Sequence, residues 1–481
     1  MLFNSLHFLY FFVAVTFSYF VLPHKYRWVL LLVASSYFYM VFMPIYILIL
    51  GFTIVVDYFA GIYIEKSEKK KRKSFLIISL IANIGVLAVF KYYNFLNENI
   101  SLFLSDLGYH NSIPNLSILL PVGLSFHTFQ AMSYTIEVYR GNQKAEKHFG
   151  IYALYVMFYP QLVAGPIERP QNILHQFYIK HEFDYKRVKE GLKLMAWGLF
   201  KKVVIADRLA VTVNTVYNNP TEFYGASLIL ATIFFAFQIY CDFSGYSDIA
   251  IGAARVMGFN LMKNFDRPYL SKSVSEFWKR WHISLSTWFR DYLYISLGGN
   301  RVSSSRLYFN LIVTFLISGL WHGSNWTYVV WGGLNGLFLV IEILIKKHTL
   351  NYFQHFKNNF ILEIIKCFVT FALICFTWIF FRANTLSDSF YIVENLFTDF
   401  VLSVKVLVSG KLGFTKYDLL VTSFSLIVLF AVEWLQRQIS IQNLLNKQSI
   451  YLRWSAYVFL LISIILFGAF DQNQQFIYFQ F

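Results

Sequence analysis

Apolar runs recur from one end of this 481-residue chain to the other, and they restrict its fold more than any other feature does. Several approach the roughly 20 residues that a helix needs to cross the hydrocarbon core of a bilayer. In hydrocarbon no water satisfies exposed backbone N–H and C=O groups, so each such run must close its own hydrogen bonds as a helix. Only 14% of the residues are charged and 57% are hydrophobic, where a soluble chain carries about 25% charged residues. The runs cover the whole length, so the reading is an all-α polytopic membrane protein, not a soluble domain with an anchor.

The net charge of +15 lies in short loops between the apolar runs, the distribution of a positive-inside membrane protein. It does not call for a nucleic-acid partner. Residues 1–28 lack a basic stretch before their apolar run, so they read as a retained first span with its N-terminus outside. Lys25 and Arg27 are then cytoplasmic. Runs at 28–43 and 45–63 meet near Pro44 and return to "EKSEKKKRK" (65–73), the strongest cytoplasmic anchor. A span at 74–92 leads out to "NENISLFLSDLGYHNSIPN" (97–115), and a run at 117–139 returns to Arg140, Lys144 and Lys147.

"FGIYALYVMFYPQLVAGPIERP" (149–170) has basic flanks on both sides and is too short for two spans, so it predicts a re-entrant hairpin turning near Pro160 and Gly165-Pro166. Further runs lie at 194–215, 226–240, 247–259, 307–322, 325–345, 361–381, 419–435 and 453–470. Ten to twelve crossings plus re-entrant and interfacial pieces follow. No linker or internal repeat divides the chain, which reads as one domain over 1–481. Cys241, Cys367 and Cys375 sit in or beside apolar runs and read as small buried hydrophobes.

Polar residues inside such runs are functional candidates, because burying them is costly without a partner or cavity. His127, Gln130, Tyr134 and Glu137 share one helical stripe, which either lines a lumen or joins two helices. Asp242, Ser244, Tyr246 and Asp248 surround Gly245 at an expected break between two runs. The two aspartates either orient a histidine or pair with Arg255, or the group is a network holding a broken helix. "SVSEFWKRWHISLSTWFRDYLYISLGGNR" (273–301) opens with a capping-box spacing, Ser273 and Glu276. Beyond it, Trp278, His282, Leu285 and Phe289 share one face and Lys279, Ser286 and Arg290 the other, so an amphipathic interfacial helix is expected over 276–293. Finally, "LISGLWHGSNWTYVVWGG" (316–333) places His322 beyond mid-membrane, about 24 Å along a helix from Arg306. Gly323, Ser324 and Asn325 interrupt the helix after it. A neutral imidazole there is suited to take a proton near pH 7. No metal-ligand spacing is present.

"QLVAGPIERP", "FQIYCDFSGYSDIAIG", "FWKRWHISLSTWFRDYLYISLGGNR", "LISGLWHGSNWTYVVWGGLNG" and "WIFFRA" together resemble the membrane-bound O-acyltransferase family, in order and over nearly the whole chain. The nearest likeness is to its bacterial branch serving alginate and peptidoglycan O-acetylation, with teichoic-acid D-alanylation more distant. The resemblance implies a ring of transmembrane helices around a central funnel, with a catalytic core over about 117–346. It makes His322 the catalytic histidine of "WHG" and His282 the second catalytic position. Where this chain has His127 the family usually has an aromatic residue.

An acetyl group would pass from a cytoplasmic thioester, acetyl-CoA or an acyl carrier protein, to a hydroxyl outside, with no permanently bound cofactor. Trp321, Ser324, Asn325, Gln130, Tyr134, Asp242 and Asp248 would line the substrate path, and Lys279, Arg280 and Arg290 would attract the donor. The implied setting is the bacterial cytoplasmic membrane with its lipid, an extracytoplasmic acetyltransferase partner and a polysaccharide-synthesis complex. The polar stripe and broken helices also suit a transporter, and a scaffold without chemistry of its own is a third reading.

Overall fold

The computed structural model of the chain describes residues 1–117, 121, 123–163, 165–349, 360–408, 410–437, 441–470, 476 and 477. Every regular element among the described residues is a helix. Seven are long and apolar enough to cross a bilayer, at Pro44–Lys66, Lys70–Asp106, Ala226–Met257, Trp326–Lys347, Phe360–Arg382, Lys416–Leu435 and Ile450–Phe467, with a shorter apolar helix at Leu6–Val21. The chain is an integral multi-pass membrane protein of the all-α class. Exposed Leu48, Ile81, Phe368, Leu420 and Ile465 on these helices are the lipid-facing side chains such spans require.

Two compact units emerge, Met1–Met195 with Ser247–Lys263, and Ala196–Tyr246 with Asn264–Phe481. In the first, helices are tied by polar contacts, because lipid offers apolar helix faces no hydrophobic gain on pairing. The buried Asp57 carboxylate accepts from the Ser79 hydroxyl at 2.6 Å and from Asn83 Nδ2 at 2.9 Å, and the Ser79 and Thr135 hydroxyls are 2.9 Å apart. Three helices, Ile47–Lys66, Lys69–Leu87 and Leu124–Arg140, meet at this network. The first residues of the expected span at 117–139, namely 118–120 and 122, lie outside the described residues. Where a hairpin is expected near Pro160, a helix of 9 residues, Phe149–Met157, breaks at Phe158 and gives one further turn, Tyr159–Leu162. Residues 150–163 are all buried, as irregular backbone at membrane depth must be.

The second unit is organised by a helical hairpin, Ser304–His322 and Trp326–Thr349. Its two helices pack at glycines: a Cβ on Gly319 would lie 2.2 Å from the Tyr328 carbonyl oxygen, and one on Gly332 2.2 Å from that of Phe315. Small residues of this kind let membrane helices approach backbone to backbone. Helix Val274–Arg280 lies along the hairpin. Ser275 N–H donates to Glu342 Oε2 at 2.9 Å and Trp278 Nε1–H to Asn335 Oδ1 at 3.3 Å.

Two expectations are corrected. Residues 226–257 form one continuous helix of 32 residues, not two runs with a break at Gly245. There the glycine serves packing, since a Cβ would stand 2.7 Å from the Gly198 carbonyl oxygen. Conversely, the amphipathic helix expected over 276–293 is not continuous. It stops at Arg280, restarts at Ile283, and passes through a π-helical stretch at Phe289–Tyr294. The break falls on His282, so the single face drawn through Trp278, His282, Leu285 and Phe289 does not exist as one stripe.

Candidate active site

Helix Ser304–His322 ends on His322 itself, and Gly323 continues extended at φ −159° and ψ 151°. Asn325 then opens the next helix. Its Oδ1 accepts the Thr327 N–H at 3.0 Å, a helix cap, and its Nδ2 donates to the Asn384 carbonyl at 3.2 Å. Ser324 stands half-buried in the same turn. The interruption read from "HGSN" is thus a capped turn between antiparallel helices. The His322 ring is 5% exposed, set among Trp321 at 4.9 Å, Trp331 at 5.0 Å and Phe381 at 5.4 Å between centroids, all nearly edge-on. Such aromatic contacts prefer defined angles, so they fix the imidazole plane.

His282 reaches the same surroundings by a different local device. It adopts the left-handed conformation, φ 43° and ψ 56°, immediately before helix Ile283–Trp288. For a side chain with a Cβ this costs roughly 1–2 kcal/mol, so surrounding structure must hold it. Asn264 does so. Its carbonyl accepts the Ile283 N–H at 2.8 Å, and its Oδ1 accepts the Ser284 N–H at 3.2 Å and hydroxyl at 2.9 Å. Strain kept in place by a polar clamp is a feature of functional sites. The ring lies 4.5 Å from Phe243 and 6.3 Å from Trp321. This residue lies outside the spanning helices, and burial pushes its imidazole well below the usual histidine range, leaving it neutral.

The fold therefore brings His282, Trp321 and His322 together, both imidazoles in contact with one indole. Behind them Trp281 contacts Trp378 at 5.1 Å, and Trp378 stacks on Trp331 at 5.8 Å with 17° between planes. Trp331, Trp378, Phe381 and Asn264 escaped the sequence reading. Three of them are apolar and carry no signal of their own, although Trp378 and Phe381 belong to the quoted "WIFFRA".

Asp242 behaves otherwise than expected. Instead of pairing with Arg255 or a histidine it meets Lys202, whose Nζ lies 2.7 Å from both Asp242 Oδ1 and Asp207 Oδ1, all three side chains nearly inaccessible. A buried cation needs such partners, and Arg255 stands several turns further along the same helix. Asp242 Oδ2 also accepts the Ile477 N–H at 2.7 Å, and Phe476 packs on Tyr246 at 4.3 Å and Phe243 at 5.7 Å. Next to this triad Lys201 donates to Ser244 at 2.8 Å. The signal for it was "GLFKKVVIADRL" (198–209), two lysines within an apolar run.

The remaining expected site residues have other surroundings. In the first unit, Gln130 Nε2 donates to the Tyr155 carbonyl and the Tyr155 hydroxyl to the Gln130 carbonyl, and the Tyr134 hydroxyl accepts the Glu146 N–H at 2.9 Å. Gln130 thus ties two helices together, and Tyr134 ties its helix to the loop before Phe149–Met157. His127 is 2% exposed, with no hydrogen bond to either ring nitrogen among the described residues. Asp248 is half-buried. In the second unit Arg280 pairs with Glu276 at 2.5 Å and Arg290 with Asp291 at 2.7 Å, while Lys279 is exposed. Among the described residues no group of three or more His, Cys, Asp or Glu side chains could hold a metal ion.

Fold and site define the class: a multi-pass membrane protein with a candidate acid–base pair buried among its helices. The profile of the membrane-bound O-acyltransferase family matches residues 142–383, which include both histidines. A probable alginate O-acetylase, AlgI, of Pseudomonas aeruginosa is 36% identical over 444 residues, 91% of this chain and 83% of that protein. A peptidoglycan O-acetyltransferase of Helicobacter pylori is 34% identical over 393 residues, 76% and 73% of the two chains. A teichoic acid D-alanyltransferase of Streptococcus thermophilus is 30% identical over 259 residues, 49% and 60%. The chain belongs to the membrane-bound O-acyltransferase family and is an O-acyltransferase.

Proposed function

We propose that the protein O-acetylates an extracytoplasmic polysaccharide, an alginate-like exopolysaccharide in the first instance, from a cytoplasmic acetyl thioester across the bacterial inner membrane. The observation that carries this reading is the burial of His322 and His282 against one indole. The named activities of the Pseudomonas and Helicobacter relatives support it. Within it the catalytic core is about 117–346, in one domain.

His322 acts as general base on the attacking hydroxyl. The hydroxyl oxygen bonds to the thioester carbonyl carbon, the C–S bond breaks, and the proton taken by His322 passes to the departing thiolate. A neutral His282 donates a ring N–H to the oxygen on which charge develops, and its strained backbone holds that donor in advance. Trp321 packs against both rings and keeps water from the thioester. Exposed Lys279 and Arg290 lie where the phosphates of acetyl-CoA, or the acidic surface of an acyl carrier, would be drawn. The acceptor hydroxyl belongs to a serine of an extracytoplasmic acetyltransferase partner within a polysaccharide-synthesis complex, which passes the acetyl group to the glycan.

The test is the acetyl content of envelope polysaccharide, by mass analysis, in cells carrying wild type, His322→Ala or no copy. Retention of acetylation in His322→Ala at wild-type protein level overturns the reading.

A further inference from the structure

Trp331 stands in the second turn of helix Trp326–Thr349 and is 1% exposed. Its ring is the hub of the aromatic cluster around His322. It lies 5.0 Å from the imidazole and 5.0 Å from Phe381, 5.7 Å from Trp278, and stacks on Trp378 at 5.8 Å. The indoles of this cluster differ in what their N–H groups do. Trp278 Nε1–H donates to Asn335 Oδ1. Trp331 Nε1 is inaccessible and has no acceptor among the described residues. Asn335 lies one turn further on, but it gives its Nδ2–H to the Trp331 carbonyl at 2.8 Å and its Oδ1 to Trp278.

A buried indole N–H ordinarily finds a partner, and leaving it unmade opposes folding. A phenylalanine would supply an apolar ring here with no donor to strand. An unsatisfied donor in a native interior calls for a reason, and a catalytic role is one such reason. The position of Trp331 supplies it. As a hydroxyl attacks a thioester, negative charge gathers on the carbonyl oxygen. Attack brings the reacting atoms to about 3–3.5 Å, and an effective donor stands about 3 Å from the charged oxygen. The 5.0 Å between the imidazole and Trp331 falls inside the sum of those lengths. The donor is also held in advance, because its helix is locked against Ser304–His322 where Gly332 meets the Phe315 carbonyl. With no acceptor of its own to give up, it meets the developing charge without reorganising.

We propose that Trp331 Nε1–H is a second oxyanion donor of the acyl-transfer site, hydrogen-bonding the thioester carbonyl oxygen as the C–O bond forms and the C–S bond breaks. The inference rests on the acyl-transfer role given to His322, and it divides the developing charge between Trp331 and neutral His282. The indole keeps its proton throughout, while the hydroxyl proton still passes through His322 to the thiolate.

The test removes the N–H and keeps the ring. Benzothienylalanine, a tryptophan isostere with sulfur in place of N–H, is incorporated at position 331 of the full chain in cells. The readout is the initial rate at which labelled acetate enters envelope polysaccharide as alkali-labile acetyl groups, at matched levels of membrane protein, beside wild type and His322→Ala. Loss of one oxyanion donor typically costs about 10²–10³-fold, so the isostere should slow incorporation by about that factor and Trp331→Phe by at least as much. The same isostere at exposed Trp454 of helix Ile450–Phe467 should leave the rate unchanged. Wild-type rate with the isostere at 331, where His322→Ala is inactive, overturns the donor and leaves the acyl-transfer reading standing. Incorporation that survives His322→Ala sinks that reading, and the donor with it.

Discussion

His322 meets Trp331 edge to face, with ring centroids 5.0 Å apart and 87° between planes. Trp331 comes from the second helix of the hairpin, so the imidazole's orientation depends on how closely the two helices approach. Removing the imidazole removes a general base, for which losses of about 10²–10⁴-fold are typical. His322→Ala should therefore lower acetyl transfer by about that factor in protein that still folds in detergent, and the isosteric His322→Gln, which keeps most of the packing, should lose as much activity. A drop of less than about tenfold would mean that another group takes the proton.

That approach depends on glycine. In Gly319→Ala the new methyl meets the Tyr328 carbonyl oxygen, a backbone atom that cannot swing aside. Overpacking of this kind costs typically about 1–3 kcal/mol. Gly319→Ala should lower the melting temperature measurably, while Gly51→Ala, with open space around it, should not. Equal melting curves for the two variants would contradict the close packing.

The buried triad around Lys202 makes a different forecast. Removing one partner of a buried ion pair leaves an uncompensated charge and costs about 3–5 kcal/mol. Lys202→Met strands two carboxylates and Asp242→Asn removes one, so the first should be the more destabilising. Thermal unfolding in detergent ranks them, and the reverse order would refute the arrangement.

His282 couples stability to pH. Its buried ring binds protons less readily than in the unfolded chain, so lowering pH favours the unfolded state. This stability is fully present above about pH 6.5, the ordinary histidine value, and is lost as pH falls through it. The melting temperature should drop between about pH 7.5 and about pH 5.5, and His282→Asn should flatten that drop. Asparagine also accepts the left-handed backbone, whereas His282→Val should be the less stable variant throughout. An identical pH profile for wild type and His282→Asn would contradict the neutral, buried ring.

Much of this was legible in residue order. The helices at 304–322, 326–349, 360–382 and 416–435 follow the apolar runs within a few residues, because length and apolarity alone make a span. The turn after His322 was announced by glycine and asparagine. The continuity of helix 226–257 was not, because Gly245 and Asp242 look like breakers until a neighbouring backbone and Lys202 are placed against them. Nor was the break at His282, where a polar clamp from Asn264 overrides a favourable helical pattern.

By itself the sequence determined that the chain spans the membrane many times as helices and that His322 stands at a polar interruption of an apolar run. His282 became a candidate only through the resemblance of its motif to the family's. Hydrophobic length and the cost of a polar group in lipid are local properties, carried by consecutive residues. Only the tertiary structure decided that the two histidines share one indole, that Asp242 belongs to a lysine, and that Phe381 packs on His322. Those pairings join residues tens of positions apart, and they exist only once helix packing has brought their side chains within reach.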